Sequence, residues 1–176
     1  MIVAGGKATR LGGIAKHELV VGGETIFARQ VRVLAPLVAE IIVSGATVAG
    51  YRTVHDSVAD AGPLAGIAAG LAATRTPWLL AVACDMPHLT RALIEQLIAL
   101  ASDGVDAVGV RVRGRPEPLL SVLHVRARSA VERRLSAQHF KVSGILTDEG
   151  LRVAWLDDPD PHALVNINSP ADLRES

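Results

Sequence analysis

The chain has 176 residues, as many Lys and Arg as Asp and Glu (18 each), and nearly half of its residues are hydrophobic. That is enough for one domain with a full core and too apolar for disorder, and a balanced charge argues against a nucleic-acid coat while leaving room for a local anion site. The single cysteine, Cys84, has no internal disulfide partner; with no apolar stretch long enough for a membrane span and no signal-like start, the chain reads as a soluble cytoplasmic protein.

In chain order, "MIVA" is a short apolar strand that runs into "GGKATRLGGIAK", a loop with four glycines, Lys7, Arg10 and Lys16. Glycine lets backbone N–H groups face an anion closely, and the cations suit phosphate. "HELVV" and "GGETI" read as a strand and a turn. "IFARQVRVLAPL" has apolar residues at helical spacing and stops near Pro36. "EIIVSG" and "YRTVHD" are strands. "GPLAGIAAGLAAT" opens a helix with a proline, and "WLLAVACD" is a long apolar strand that ends on an acid. "TRALIEQLIALAS" is a helix with a threonine cap. "DAVGVRV" and "EPLLSVLHV" are strands, joined through "RVRGRPEP", which reads as a mobile loop or insertion over one edge. "VRARSAVERRLSA" is a charged amphipathic helix with a solvated face, "LRVAWL" and "ALVNI" are short strands, and "SPADL" carries the signature of a helix start.

Strands alternating with helices predict one α/β domain over residues 1–176, a mostly parallel central sheet with helices on both faces. Ligands of such sheets sit at the carboxyl ends of the strands. Four motifs fall there: the glycine loop, "HDSVADAGPLAG", "ACDMP" and "NINSPADL". The loop is neither a Walker loop nor a dinucleotide fingerprint, because G-x-x-x-x-G-K-[ST] and G-x-G-x-x-G are both missing. It reads A-G-G-x-x-x-R-x-G-x-x-x-K.

That motif, followed in order by "GPLAG", "CDMP", "RPEPLLSVLH" and "NINSP", resembles the MobA-like nucleotidyltransferases of the molybdenum-cofactor guanylyltransferase type, over essentially the whole chain. The resemblance implies a Rossmann-like nucleotidyltransferase fold and transfer of GMP from GTP to the phosphate of molybdopterin, with Mg²⁺ as cofactor. It implies molybdoenzyme-assembly proteins as protein partners, and neither nucleic acid nor membrane. An acceptor phosphate is already largely anionic at neutral pH, so the chemistry asks for cations, backbone donors and a metal rather than a general base. On that logic Gly5 and Gly6 present backbone to the triphosphate, Arg10 meets the outer phosphates, Lys16 meets the α-phosphate, and Asp85 is the Mg²⁺ ligand. The resemblance further implies that Asp56 supports the metal or the ribose, that Ala4, Ser44 and the loop Gly62, Pro63 and Leu64 enclose the base, and that Asn166, Asn168 and Arg115 face the acceptor.

Plainer readings stand beside these. Asp85 also suits a helix cap, Asp56 a turn, Asn166 and Asn168 a turn before the last helix. Cys84 reads as a buried residue turned away from its neighbour's side rather than a nucleophile. His17 and His88 adjoin motif residues and read as surface or capping groups. Two departures from the family pattern bear on substrate: Ser44 stands where an asparagine is usual, and Glu117 where a glutamine is usual. The rival readings are a related transferase using CTP or another phosphorylated acceptor, and a non-catalytic nucleotide-binding partner in molybdoenzyme assembly.

Overall fold

The computed structural model describes residues 1–5, 14–55, 61–147, 150–168 and 172. Along the chain run β1 (Ile2–Val3), β2 (Val20–Val21), β3 (Glu24–Thr25), α1 (Ile26–Leu34), β4 (Ile42–Ser44), β5 (Arg52–Val54), α2 (Pro63–Ala73) and β6 (Trp78–Ala83). They are followed by α3 (Arg91–Ala99), β7 (Ala107–Val112), β8 (Arg115–His124), α4 (Arg128–Ser136), α5 (Ser143–Leu146) and β9 (Val153–Asp157). Seven strands form one sheet in the order β5-β4-β1-β6-β8-β7-β9, and β2 and β3 make a separate hairpin. All neighbours in the sheet are parallel except β8, which is antiparallel to both β6 and β7.

Burial on both faces explains the unbroken apolar runs. Along β6, Leu80 and Val82 pack on one side with Phe27 and Leu34 of α1 and Leu93, Ile94 and Leu97 of α3. Leu79 and Ala81 pack on the other, with Leu64, Ile67 and Leu71 of α2, Val131 of α4 and Ile145 of α5. The caps follow the sequence: Thr25 and Thr90 each accept from a backbone N–H three residues on, at 3.2 and 3.3 Å. Gly62, at the start of α2, sits at φ 62°, a conformation glycine adopts without strain. Among the described residues no helix is long and apolar enough to cross a membrane.

Three expectations are corrected. "RVRGRPEP" is not a loose insertion but a tight hairpin: Arg113 and Gly114 turn at φ 49° and 73°, and Val112, Arg111 and Val110 pair with Arg115, Pro116 and Glu117. Pairing of β8 with β6 begins only at Leu120, so Pro116 and Pro118, which lack N–H donors, lie beyond that ladder. "ALVNI" is not a strand. Pro161–Leu164 forms a 3-10 turn in which the Asp160 carboxylate accepts from His162 N at 3.0 Å, and the following residues are irregular. His17 is not a surface group: it is buried and meets Phe27 edge-on.

Candidate active site

Lys16 opens a 3-10 turn, Lys16–Glu18, closed by Glu18 N donating to Ala15 O at 2.9 Å. Burial of His17 against Phe27 anchors that turn, and Lys16 reaches across to the tip of β6. There its Nζ donates to Asp85 Oδ2 at 2.7 Å and to Asn168 Oδ1 at 2.6 Å. The Lys16 and Asp85 side chains are 21% and 16% exposed, so the pair is poorly screened yet open on one side.

Asn168 arrives there because Ile167 is an anchor. Ile167 is fully buried with Leu19, Val21 and Ile26, and its N–H donates to Asp85 O at 2.9 Å. That one residue ties the 166–168 segment to the hairpin, to α1 and to the Asp85 turn. Burying such a side chain contributes about 1.5–3 kcal/mol. Asn168 is also fixed through its backbone, whose N–H donates to Asp172 Oδ2 at 2.7 Å. Segments 69 and 152 residues from Lys16 in sequence therefore meet it at one point.

The β8 overhang adds a second carboxylate. Glu117 lies on the part of β8 beyond its pairing with β6, where the charge of Asp85 is felt at its carboxyl. Burial, and then the Asp85 charge, push the Glu117 carboxyl above its ordinary value. Arg115, two residues earlier on the same strand, is exposed at the hairpin mouth.

Other predicted residues have varied positions. Ala4 is buried at the tip of β1, its N–H donating to Ser44 O at 2.8 Å, and Gly5 follows it exposed. Gly45, at φ 80°, crosses so close to Gly5 that a Cβ on Gly45 would collide with the Gly5 backbone, so the tip of β4 can meet the tip of β1 only as glycine. Ser44 is 1% exposed, at the end of β4 within the sheet. Leu64 is core, leaving only exposed Gly62 and half-buried Pro63 at the loop surface. Asn166 is half-buried beside the anchor. Gly6, Lys7, Arg10 and Asp56 lie outside the described residues. Cys84 is buried, and burial pushes its thiol up to about 12, which suits a packing residue and not a nucleophile.

The sequence reading missed Gln30, Arg29 and Ile167. Gln30 is a polar residue on the apolar face of α1, and that break in the helical stripe was its only signal. His88 was seen only as a neighbour of the motif; its ring packs against His162, 4.2 Å between centroids, and burial lowers its basicity. A cleft of ≈ 590 Å³ opens at the opposite, amino edge of the sheet between Leu37, Ile42, Trp78, Leu80 and Ile98, and among the described residues no predicted site residue lines it.

Residues 1–158 match the model of the MobA-like NTP transferase domain. The chain belongs to that family. It is 36% identical to a Pseudomonas putida protein named molybdenum cofactor guanylyltransferase, over 99% of this chain and 95% of that one. A Pseudomonas aeruginosa protein of the same name is 34% identical, over 97% and 89% of the two chains. In three dimensions the chain resembles molybdopterin-guanine dinucleotide biosynthesis protein A of Archaeoglobus fulgidus, with a TM-score of 0.80 and 23% identity over 99% and 94% of the chains. It also resembles 2-C-methyl-D-erythritol 4-phosphate cytidylyltransferase of Thermus thermophilus, with a TM-score of 0.71 and 20% identity over 99% and 94%. These likenesses show the nucleotidyltransferase fold, and family membership makes the protein a nucleotidyltransferase.

The donor set at the β6 tip fits a hard divalent cation. Asp85 offers a carboxylate and Asn168 an amide oxygen on the same lysine, the Glu117 carboxyl feels the Asp85 charge, and the neighbouring Cys84 thiol is buried. Among the described residues no group of three or more His, Cys, Asp or Glu is gathered for a metal. One dedicated carboxylate is nonetheless ordinary for Mg²⁺, which keeps waters and substrate phosphate oxygens as its other ligands.

Proposed function

We propose that the protein transfers GMP from GTP to the terminal phosphate of molybdopterin, releasing pyrophosphate and forming the guanine dinucleotide cofactor. The observation that carries this reading is the convergence of Lys16, Asp85 and Asn168 at the carboxyl edge of β6, in a chain whose near-full-length relatives bear the guanylyltransferase name. Product then passes to proteins of molybdoenzyme assembly.

An oxygen of the acceptor phosphate forms a bond to the α-phosphorus, and the bond from that phosphorus to the bridging oxygen breaks, the electron pair leaving with pyrophosphate. The acceptor phosphate has a second pKa of about 6 and attacks as an anion, so no side chain is needed to take a proton. The work is to hold two anions together and to bear the added charge. Lys16 does this as a cation already oriented by Asp85 and Asn168. Gly5 presents backbone to the phosphates, and Gly6 and Arg10 extend that cradle. Asp85 would hold Mg²⁺, which would supply Lewis-acid stabilisation of the phosphate oxygens. Asp56 serves the metal or the ribose, Asn166 and Arg115 the acceptor. Ser44 contributes to base reading through its position in the sheet, with backbone near Ala4 and Gly62 making the contacts.

Competition of ATP, CTP and UTP against [α-³²P]GTP, with label transfer to molybdopterin as the readout, tests the reading. Guanine presents an acceptor at O6 where adenine presents an amino group, and an unpaired buried group costs about 1–3 kcal/mol. GTP is therefore expected to be favoured over ATP by about ten- to a hundredfold. Equal use of ATP, or preference for CTP, overturns the guanylyl assignment. Absence of transfer with any triphosphate overturns the enzymatic one.

A further inference from the structure

The turn that carries Asp85 has a scaffold of its own, and it comes from α1. Gln30 is 1% exposed, on the same face as Ile26, Phe27 and Leu34. Its Nε2 donates to Ala83 O at 2.7 Å and to Met86 O at 3.2 Å, the carbonyls that flank Cys84 and Asp85. The preceding residue, Arg29, donates from Nε to Pro87 O at 3.1 Å and from an Nη to Val21 O at 3.0 Å. Adjacent side chains of one helix thus hold three carbonyls of the 83–87 turn. Arg29 also joins that turn to the hairpin that follows Lys16.

The chemistry of Gln30 fits a donor role. Both protons of its amide nitrogen are committed to carbonyls, and its Oε1 is buried with no partner among the described residues. A methionine or leucine would fill the same place without a buried, unpartnered Oε1, but would take this donor away from the Ala83 and Met86 carbonyls. What the amide adds is a fixed path for the backbone on each side of Asp85. We propose that Gln30, assisted by Arg29, is a positioning residue: it sets the 83–87 turn so that the Asp85 carboxylate meets Lys16 and a divalent cation in a single orientation. This rests on the reading of Asp85 as the cation's ligand.

The test uses the full chain, Gln30→Met and Arg29→Met, with Mn²⁺ as the probe read by electron paramagnetic resonance in the presence of GTP. In metal-free protein, hydrogen exchange of the Ile167 amide, which donates to Asp85 O, reads the turn directly. Gln30→Met is expected to weaken Mn²⁺ binding roughly tenfold and to lower kcat by a similar factor, as supporting residues of metal sites do. Metal-free GTP affinity should stay within about twofold, and Ile167 exchange should quicken. A lowered Tm with Mn²⁺ affinity and Ile167 exchange both unchanged overturns the proposal, leaving Gln30 as packing. If Gln30→Met does not fold, Arg29→Met decides by the same readouts: weaker Mn²⁺ binding supports the clamp and unchanged binding overturns it. A wild-type protein that binds Mn²⁺ with GTP but transfers nothing refutes the proposed reaction and leaves the positioning role standing. Failure of wild type to bind Mn²⁺ at all removes both.

Discussion

Asp85 and Asp106 are both largely withdrawn from solvent, with side chains 16% and 10% exposed, and both neighbour arginine or lysine, yet they do opposite things. Asp106 lies at the amino edge, just before β7. It accepts from Arg152 N and Nε at 3.0 and 3.2 Å, from an Arg152 Nη at 3.5 Å, and from Arg126 Nε at 3.0 Å. Its own backbone continues the pairing of β7, β8 and β9, through Asp106 N to Arg152 O at 2.8 Å and His124 N to Asp106 O at 2.9 Å. Two planar guanidinium groups and a backbone donor saturate the carboxylate, so it is structural. Asp85, at the carboxyl edge, meets among the described residues one lysine on one oxygen. Lysine is a compact point charge that phosphate can compete for. Saturation therefore separates an anchor from a site more clearly than burial does.

Breaking the site end should give the largest effects. Asp85→Asn keeps shape and removes charge, and transfer at saturating Mg²⁺ should fall on the order of a thousandfold with Tm retained. Label transfer checks it, and turnover within a few fold of wild type removes Asp85 from the cation. Lys16→Ala should lower kcat on the order of a hundredfold, because charge grows during transfer, with less change in KM for GTP. A rise in KM alone would make Lys16 a ground-state binder. Asn168→Ala frees the lysine on one side and should reduce kcat by about tenfold through loss of orientation. Steady-state kinetics alongside Lys16→Ala tell whether the two act as a unit.

The anchor end sharpens the contrast with a small effect on stability alone. Asp106→Asn should lower stability at pH 7 by about 1–2 kcal/mol in urea unfolding and leave kcat unchanged. Hydrogen bonds from the Arg152 side chain, then its backbone, then Arg126, hold the Asp106 carboxyl well below its ordinary value of 3.8. A depressed folded value means that the unfolded chain binds the proton first. This stabilisation is thus complete above 3.8 and fades as pH falls below it toward the lower folded value. The wild type and Asp106→Asn stability curves should converge in that acid range; a constant gap would assign the loss to packing instead of charge.

Much of the molecule was legible in local patterns. Apolar runs marked β4, β6 and β7, helical spacing marked α1, a threonine cap marked α3, and the glycine-proline pair marked the start of α2. Misreadings arose where distant partners overrule local preference. "ALVNI" has strand composition, but Ile167 is drawn into the cluster of Leu19, Val21 and Ile26 and its N–H is taken by Asp85 O, so no ladder forms. "RVRGRPEP" has loop composition, but β7 supplies a partner for Arg115, Pro116 and Glu117. The four-residue helix α5, Ser143–Leu146, is too short to show a period, and Ile145 and Leu146 are helical there because they pack on the sheet.

Residue type and order alone determined the class of fold and the chemistry: glycines and cations after a first strand, an acid after a buried strand, and a family pattern that joins them. Only the tertiary structure decided which groups meet. Lys16, Asp85 and Asn168 converge because parallel strands deliver their ends to one edge, and Ile167 is carried there by burial. Ser44 and Leu64, chosen from sequence as ligand contacts, are buried, which no local pattern announced. Gln30, invisible as anything but a flaw in an apolar stripe, holds the turn of Asp85. Side-chain types travel with the sequence, but hydrogen-bond partners and burial depend on how distant segments pack, and packing is a property of the whole chain.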